Sequence, residues 1–113
     1  IVMEARLLEA ELRDEIRAPF FTGTAVVEAA RRSRARGVEV LLLDDRGGEG
    51  PLGTGEGADD RLRALIVERA ACALDEARAG RVVVRVGPTG RRWAATILSD
   101  AGLCVVKADG SVE

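Results

Sequence analysis

The sequence predicts an α+β fold, a two-layer α/β sandwich with helices on one face of a roughly four-stranded, mostly antiparallel sheet. Three observations favour this fold. Three segments repeat apolar residues every three or four positions, which is typical of amphipathic helices. Four shorter segments are apolar throughout or at alternate positions, which is typical of strands. Their order is helix, helix, strand, helix and then three strands, and it favours helices packed against a single sheet.

The first predicted helix covers residues 1–17. Leu8, Leu12 and Ile16 recur at every fourth position, and Pro19 ends the helix. Its apolar surface is wider than one flank of a small sandwich can easily cover, so we expect part of it to contact a second copy in a homodimer. Two alternatives stay open. The helix could dock wholly onto its own sheet, or it could be the end of a coiled-coil connector in a longer chain.

Two further helices are predicted in the middle of the chain. The shorter one is capped by Thr24 and stops at Gly37, and arginines near its C-terminus are expected to complement the helix dipole. The longer one begins at a cap provided by Asp59 or Asp60 and ends at Gly80. The residues of this long helix that we expect to face the sheet are Leu62, Leu65, Ile66, Ala70, Ala73 and Leu74.

Four strands are predicted, over residues 38–43, 81–86, 93–98 and 103–107. Short turns join the last three, so these should form an antiparallel meander. Residues 45–58 hold six glycines and one proline and are expected to be a flexible loop. Because that loop contains no lysine and several carboxylates, a connector is favoured over a phosphate-binding loop.

Composition narrows the class of protein. A length of 113 residues fits a single domain over 1–113. The 17 basic and 19 acidic side chains leave a net charge of −2, so no nucleic-acid partner is expected. No apolar run approaches the ~20 residues needed to cross a bilayer, so no membrane insertion is expected. Cys72 and Cys104 lie in apolar segments without metal-ligand spacing, which indicates buried thiols and a cytoplasmic location.

The chain contains no His, Asn, Gln or Tyr. It therefore lacks the commonest general base and the usual side-chain donors of an oxyanion hole. Asp44 and Asp45 end a strand and could hold a hard cation, but neighbouring strand residues point to opposite faces, which favours solvated carboxylates. Trp93 is interpreted as a core or sheet residue. We assign no catalytic residue and no metal site, and expect a protein that works by binding.

One stretch of the chain carries a family resemblance. It comprises the helical segment from Glu68 to Ala77, the strand over 81–86 and the turn Asp100-Ala101-Gly102. In order and spacing these resemble the ATP-binding domain of two-component sensor histidine kinases, a GHKL-like fold. The resemblance implies that Glu68 stands at the family's conserved glutamate, Asp100 at the adenine-reading aspartate and Gly102 at the turn glycine.

The same resemblance places Cys72 where the family has its magnesium-coordinating asparagine. Cysteine is a soft ligand that suits magnesium poorly. The resemblance therefore implies a vestigial nucleotide site formed by Glu68, Asp100 and Gly102, with ATP as the only candidate cofactor. It implies a regulatory module in signal transduction that is degenerate as an ATPase and acts through protein–protein interaction.

Two other functions remain as alternatives. The strand, glycine loop, long helix and meander also look like the roadblock and longin type of homodimeric scaffold. Binding of a fluorescent ATP analogue would favour the kinase-like interpretation, whereas a tight two-fold dimer without nucleotide would favour the scaffold. A small enzyme of unknown type is the third alternative, disfavoured because the commonest general base is missing.

Overall fold

The computed structural model describes residues 2–45, 58–87 and 92–113. Its helices are α1 (Val2–Arg17), α2 (Ala25–Ala35) and α3 (Ala58–Glu76), and a short 3₁₀ helix (Pro19–Phe21) separates the first two. Its strands are β1 (Glu39–Asp44), β2 (Arg81–Val86), β3 (Trp93–Ser99) and β4 (Gly102–Lys107). The predicted flexible loop over 45–58 lies, except for its two end residues, outside the described residues.

The four strands form one sheet in the order β1-β2-β3-β4. β1 and β2 run parallel, with Val40 beside Val82 and Leu42 beside Val84. The pairs β2–β3 and β3–β4 are antiparallel, which confirms the predicted meander. A parallel pair needs a long crossover connection, and α3 is the helix in that crossover. The α+β class and the mostly antiparallel sheet are therefore as predicted.

The core lies between one face of the sheet and the helices. Alternate strand residues supply the sheet side of this core, as the period of two in a strand requires. They are Val40, Leu42, Val82, Val84, Val86, Ala95, Ile97 and Val106. From α3, the buried residues are Leu62, Ile66, Ala70 and Leu74. Leu65 and Ala73, which were predicted to face the sheet with them, are only half-buried and pack at the edge of the core.

Both ends of α2 follow the predicted cap chemistry. The Thr24 hydroxyl accepts a hydrogen bond from the Val26 N–H at 3.3 Å, and Gly37 follows the helix with a φ of +92°. The N-cap predicted for α3 is wrong, because that helix already begins at Ala58 and Asp59 and Asp60 lie in its first turn. The exposed Asp60 carboxylate is still favourable there, since it complements the positive end of the helix dipole.

Polar groups of α2 hold the C-terminal end of α3. The Ser33 hydroxyl is fully buried and donates a hydrogen bond to the Leu74 carbonyl. The Arg36 guanidinium donates to the carbonyls of Leu74 at 2.7 Å and Ala77 at 3.0 Å. The last carbonyls of a helix have no partner within the helix, so α2 satisfies them here.

The other arginines of α2 form ion pairs with neighbouring helices. They were predicted to complement the dipole of their own helix, and their partners lie elsewhere in the chain. The pairs are Arg31–Glu11 at 2.9 Å, Arg32–Asp75 at 3.0 Å and Arg34–Asp14 at 2.7 Å. Two of these pairs connect α2 to α1 and the third connects α2 to α3, so α2 links both helices.

The 3₁₀ helix that follows α1 was not predicted. Its two aromatic residues, Phe20 and Phe21, are buried with their ring centroids 4.9 Å apart in an edge-to-face arrangement. The Arg63 guanidinium of α3 lies 4.4 Å from the centroid of the Phe20 ring. This distance is within the range of a cation–π interaction, so the segment is anchored to α3 as well as to the core.

Helix α1 contacts α2, β1 and the 3₁₀ helix through a narrow stripe. Within residues 3–17, Leu7 and Ala10 are its buried apolar residues. Its remaining large apolar side chains are exposed by half or more: Met3 by 50%, Leu8 by 55%, Leu12 by 53% and Ile16 by 81%. We call these four residues the α1 apolar face. No helix in the described part of the chain is long and apolar enough to span a membrane.

Candidate functional site

A groove of about 620 Å³ lies between α3 and the turn that joins β3 to β4. We call it the α3–β4 groove. One wall is the outer side of α3, and the opposite wall is the β3–β4 turn with the start of β4. Residues that line it include Arg69, Cys72, Ala73, Glu76, Ala77, Arg78, Ile97, Asp100, Gly102 and Cys104.

The packing of α3 leaves this groove open. The helix packs against β2 and β3, and the edge strand β4 lies beyond it. At the groove, α3 presents the small side chains of Ala73 and Ala77, and β4 begins with Gly102. Side chains of this size leave space between a helix and a strand that larger residues would fill. The floor includes Ile97, so the groove combines an apolar base with polar walls.

Asp100 lies at the end of the groove nearest the C-terminus of α3. Its carboxylate is placed against Gly80, where a Cβ atom would come within 2.7 Å of Asp100 Oδ1. Gly80 has a φ of +77°, a left-handed conformation that favours glycine. The Asp100 side chain is exposed, so its carboxylate oxygens are accessible to a ligand.

Two local features form the turn that carries Asp100. The Ser99 hydroxyl accepts a hydrogen bond from the Ala101 N–H at 3.3 Å. Gly102 has a φ of +127°, which L side chains rarely adopt. This backbone conformation explains why a glycine occupies position 102 of the turn, as predicted. Serine and glycine together allow the chain to reverse within a short turn and present Asp100 to the groove.

Both cysteines of the chain line the groove as free thiols. Cys72 is exposed, contrary to the expectation that both thiols are buried, and Cys104 is half-buried. The Cys72 thiol donates a hydrogen bond to Glu76 Oε1, with a sulfur–oxygen distance of 3.4 Å. This hydrogen bond and the negative charge of Glu76 raise the pKa of the Cys72 thiol. Cys72 therefore stays protonated near neutral pH.

The structure brings most of the predicted site residues together. Asp100 and Gly102 line the same groove as Cys72, which comes from a distant part of the sequence. Glu68 does not line it. That residue is exposed on α3, one turn before Cys72. Of the three residues predicted for a nucleotide site, Asp100 and Gly102 therefore line this groove and Glu68 does not.

Two arginines of the groove were not predicted as site residues. Arg78 donates a hydrogen bond to the Asp75 carbonyl at 3.1 Å, near the C-terminus of α3. Arg69 is exposed and has no ion pair within residues 2–45, 58–87 and 92–113. Cys72 and Glu76 follow Arg69 by three and seven positions, a spacing that puts all three on one side of a helix. That spacing is the sequence signal that could have found Arg69.

The other candidates from the sequence have simpler roles. Asp45 forms an ion pair with Arg85 at 3.0 Å across the parallel strands. Trp93 is half-buried, with its ring against the backbone of Gly87. Among the described residues, no group of three or more His, Cys, Asp or Glu side chains has the arrangement of a metal site.

No protein-family model matches the chain, and neither a curated protein nor a solved structure matches it.

Proposed function

We propose that this domain is a non-catalytic regulatory module that binds an adenine nucleotide in the α3–β4 groove. One observation carries the proposal. Asp100 and Gly102, which the resemblance assigns to a nucleotide site, line one groove with Cys72, the residue that stands at the place of the family's asparagine. Its volume of about 620 Å³ is in the range of small-molecule sites.

The groove offers complementary chemistry to an adenine base. The Asp100 carboxylate can accept a hydrogen bond from the exocyclic amino group of the base. Ile97, Ala73 and Ala77 provide an apolar surface for the ring faces. Gly102 keeps the space beside Asp100 free of a side chain, since no heavy atom lies within 4 Å of where its Cβ would be.

The same groove is poorly suited to phosphate transfer. The resemblance places Cys72 where the magnesium-coordinating asparagine would be, and its thiol is engaged with Glu76. A protonated thiol is a weak ligand for a hard cation. The chain also has no histidine to accept a phosphate. In this proposal the nucleotide is bound and released unchanged, and its occupancy signals to a protein partner in the cytoplasm.

Binding of a fluorescent N-methylanthraniloyl ATP analogue tests the proposal. The wild type should give a saturable signal that unlabelled ATP displaces. Asp100→Asn should weaken binding roughly five- to a hundredfold, because it removes the negative charge and replaces one of the two acceptor oxygens with an N–H donor. Asp60→Asn is the matched control, since it is the same change at an exposed position of α3 outside the groove, and it should bind like the wild type.

Three results would contradict the proposal. The first is an absence of displaceable signal in the wild type, and the second is equal affinity in Asp100→Asn. The third is magnesium-dependent ATP turnover that Asp100→Ala abolishes, because the module would then be an enzyme.

A second function, homodimerisation, is favoured by the α1 apolar face. Met3, Leu8, Leu12 and Ile16 are each at least half exposed. Charges of both signs, among them Glu9 and Arg13, are exposed beside this face. A second copy would present the same mixture, so an isologous pair can place opposite charges together around an apolar centre. We therefore propose that α1 pairs with α1 of another copy; a tight dimer without nucleotide binding would favour the scaffold alternative.

A further inference from the structure

We infer that the α3–β4 groove binds its nucleotide without a metal ion, with the phosphate groups held directly by Arg69. This inference rests on the proposed function and specifies the ligand as a free, anionic adenine nucleotide. It also assigns Arg69 as a phosphate-binding residue.

The groove has two chemically different ends. Asp100 lies beside Gly80, just beyond the C-terminus of α3, and marks the acceptor end. Arg69 lines the groove farther toward the N-terminus of the same helix. From Arg69 to Glu76 the helix rises ~10 Å at about 1.5 Å per residue. A ligand that spans the groove therefore meets a carboxylate at one end and a guanidinium at the other.

Electrostatics fixes the direction of a nucleotide in this groove. The C-terminal end of a helix carries a partial negative charge, and Glu76 and Asp100 add carboxylates there. Phosphate is disfavoured at that end. Arg78 lies nearby, but it donates to the Asp75 carbonyl and so compensates the helix terminus. The base is favoured beside Asp100, and the phosphates extend toward Arg69.

Arg69 is available for this role. Its side chain is exposed, and it has no ion pair within the described part of the chain. Guanidinium groups bind phosphate through paired, charge-assisted hydrogen bonds. Glu76 lies at the other end of this side of α3, where it accepts the Cys72 hydrogen bond. Arg69 thus supplies the positive charge that a magnesium ion supplies in metal-dependent nucleotide sites.

The experiment compares adenosine and ADP as competitors of the fluorescent ATP analogue, in excess EDTA and in excess magnesium. The wild type should bind ADP equally well in both. Arg69→Gln should weaken ADP binding roughly ten- to a hundredfold through loss of charge-assisted hydrogen bonds, and leave adenosine binding unchanged. Arg61→Gln removes the same charge from an exposed position of α3 outside the groove and should match the wild type.

The outcomes separate this inference from the proposed function. If neither adenosine nor ADP displaces the probe from the wild type, both fail. If binding depends on Asp100 but requires magnesium, or if Arg69→Gln affects adenosine and ADP equally, the nucleotide site stands and the metal-free phosphate contact is overturned.

Discussion

The Asp100 carboxylate packs directly on the backbone of Gly80, so that any side chain at position 80 would displace it. This contact joins the β3–β4 turn to the connection between α3 and β2. Gly80 is therefore needed for two reasons, its left-handed φ of +77° and the space it leaves for Asp100. The position of Asp100 in the α3–β4 groove therefore depends on Gly80.

Gly80→Ala should lower both stability and nucleotide affinity. A left-handed backbone costs an L residue about 1–2 kcal/mol. Displacement of Asp100 adds a smaller amount, because its exposed side chain can rotate aside, but it moves the carboxylate away from its position in the groove. Gly37→Ala is the matched control, since its φ is +92° and no heavy atom lies within 4 Å of the added Cβ. Gly37→Ala should lose only the stability that the left-handed backbone costs, and it should keep full nucleotide affinity. Urea denaturation and the fluorescent ATP analogue measure the two effects.

Removing the Asp100 carboxylate tests whether its contact with position 80 causes the additional loss of stability. In an Asp100→Ala background, Gly80→Ala should cost no more than Gly37→Ala, because the carboxylate that the new Cβ would meet is gone. Equal losses for Gly80→Ala and Gly37→Ala in the wild-type background would show that the Gly80–Asp100 contact has no energetic weight.

Ile66→Ala should destabilise the domain by about 2–5 kcal/mol, the usual loss for removing a large buried aliphatic group. Ile66 is fully buried in the centre of α3. Leu65→Ala should cost less, because Leu65 is half-buried at the edge of the core. Leu98→Ala, at a side chain on β3 that is 51% exposed, should stay within about 0.5 kcal/mol. Chemical denaturation that ranked Leu65 above Ile66 would contradict the packing of α3.

Alkylation of Cys72 should be slow and should depend on Glu76. The hydrogen bond to Glu76 raises the pKa of Cys72, so at pH 8 a smaller fraction is thiolate, the reactive form. In a Cys104→Ser background, Glu76→Gln should lower that pKa and speed the reaction with iodoacetamide. The pH profile of the alkylation rate should shift to lower pH by the same amount as the pKa of Cys72.

Glu68→Gln is the control for this prediction. Glu68 lies one turn from Cys72 on the other side, and the raised pKa of Cys72 is attributable to Glu76 and not to Glu68. The pH profile of alkylation in Glu68→Gln should match that of the Cys104→Ser protein. Identical profiles for the Glu76 and Glu68 variants would mean that the hydrogen bond from Cys72 to Glu76 does not form in solution.

The sequence predicted what depends on local pattern. Alternating valines located β2 over Arg81–Val86, and threonine and glycine at its two ends located α2. The Asp-x-Gly motif located the tight turn between β3 and β4, across which Ser99 pairs with Gly102.

What was missed depends on distant contacts. The pairing of Arg34 with Asp14 needs the packing of α2 on α1, which no local pattern encodes. The burial of Phe20 likewise depends on α3, whose Arg63 covers its ring. Leu65 and Ile66 are neighbours in a helix about 100° apart, and only the position of the sheet decides which of them is central.

The α1 apolar face should make the domain a homodimer. Sedimentation of the wild type should show a mass that rises with concentration toward twice that of the 12.0 kDa chain. Leu8→Glu/Leu12→Glu places charges in the centre of the face and should give a folded monomer, with an unchanged circular dichroism spectrum, because both side chains are already more than half exposed in the single chain. Ala25→Glu/Ala35→Glu adds the same two charges at exposed positions of α2 and should remain dimeric. A wild type that stays monomeric at high micromolar concentration would show that α1 does not pair, and a Leu8→Glu/Leu12→Glu dimer would place the interface elsewhere on the molecule.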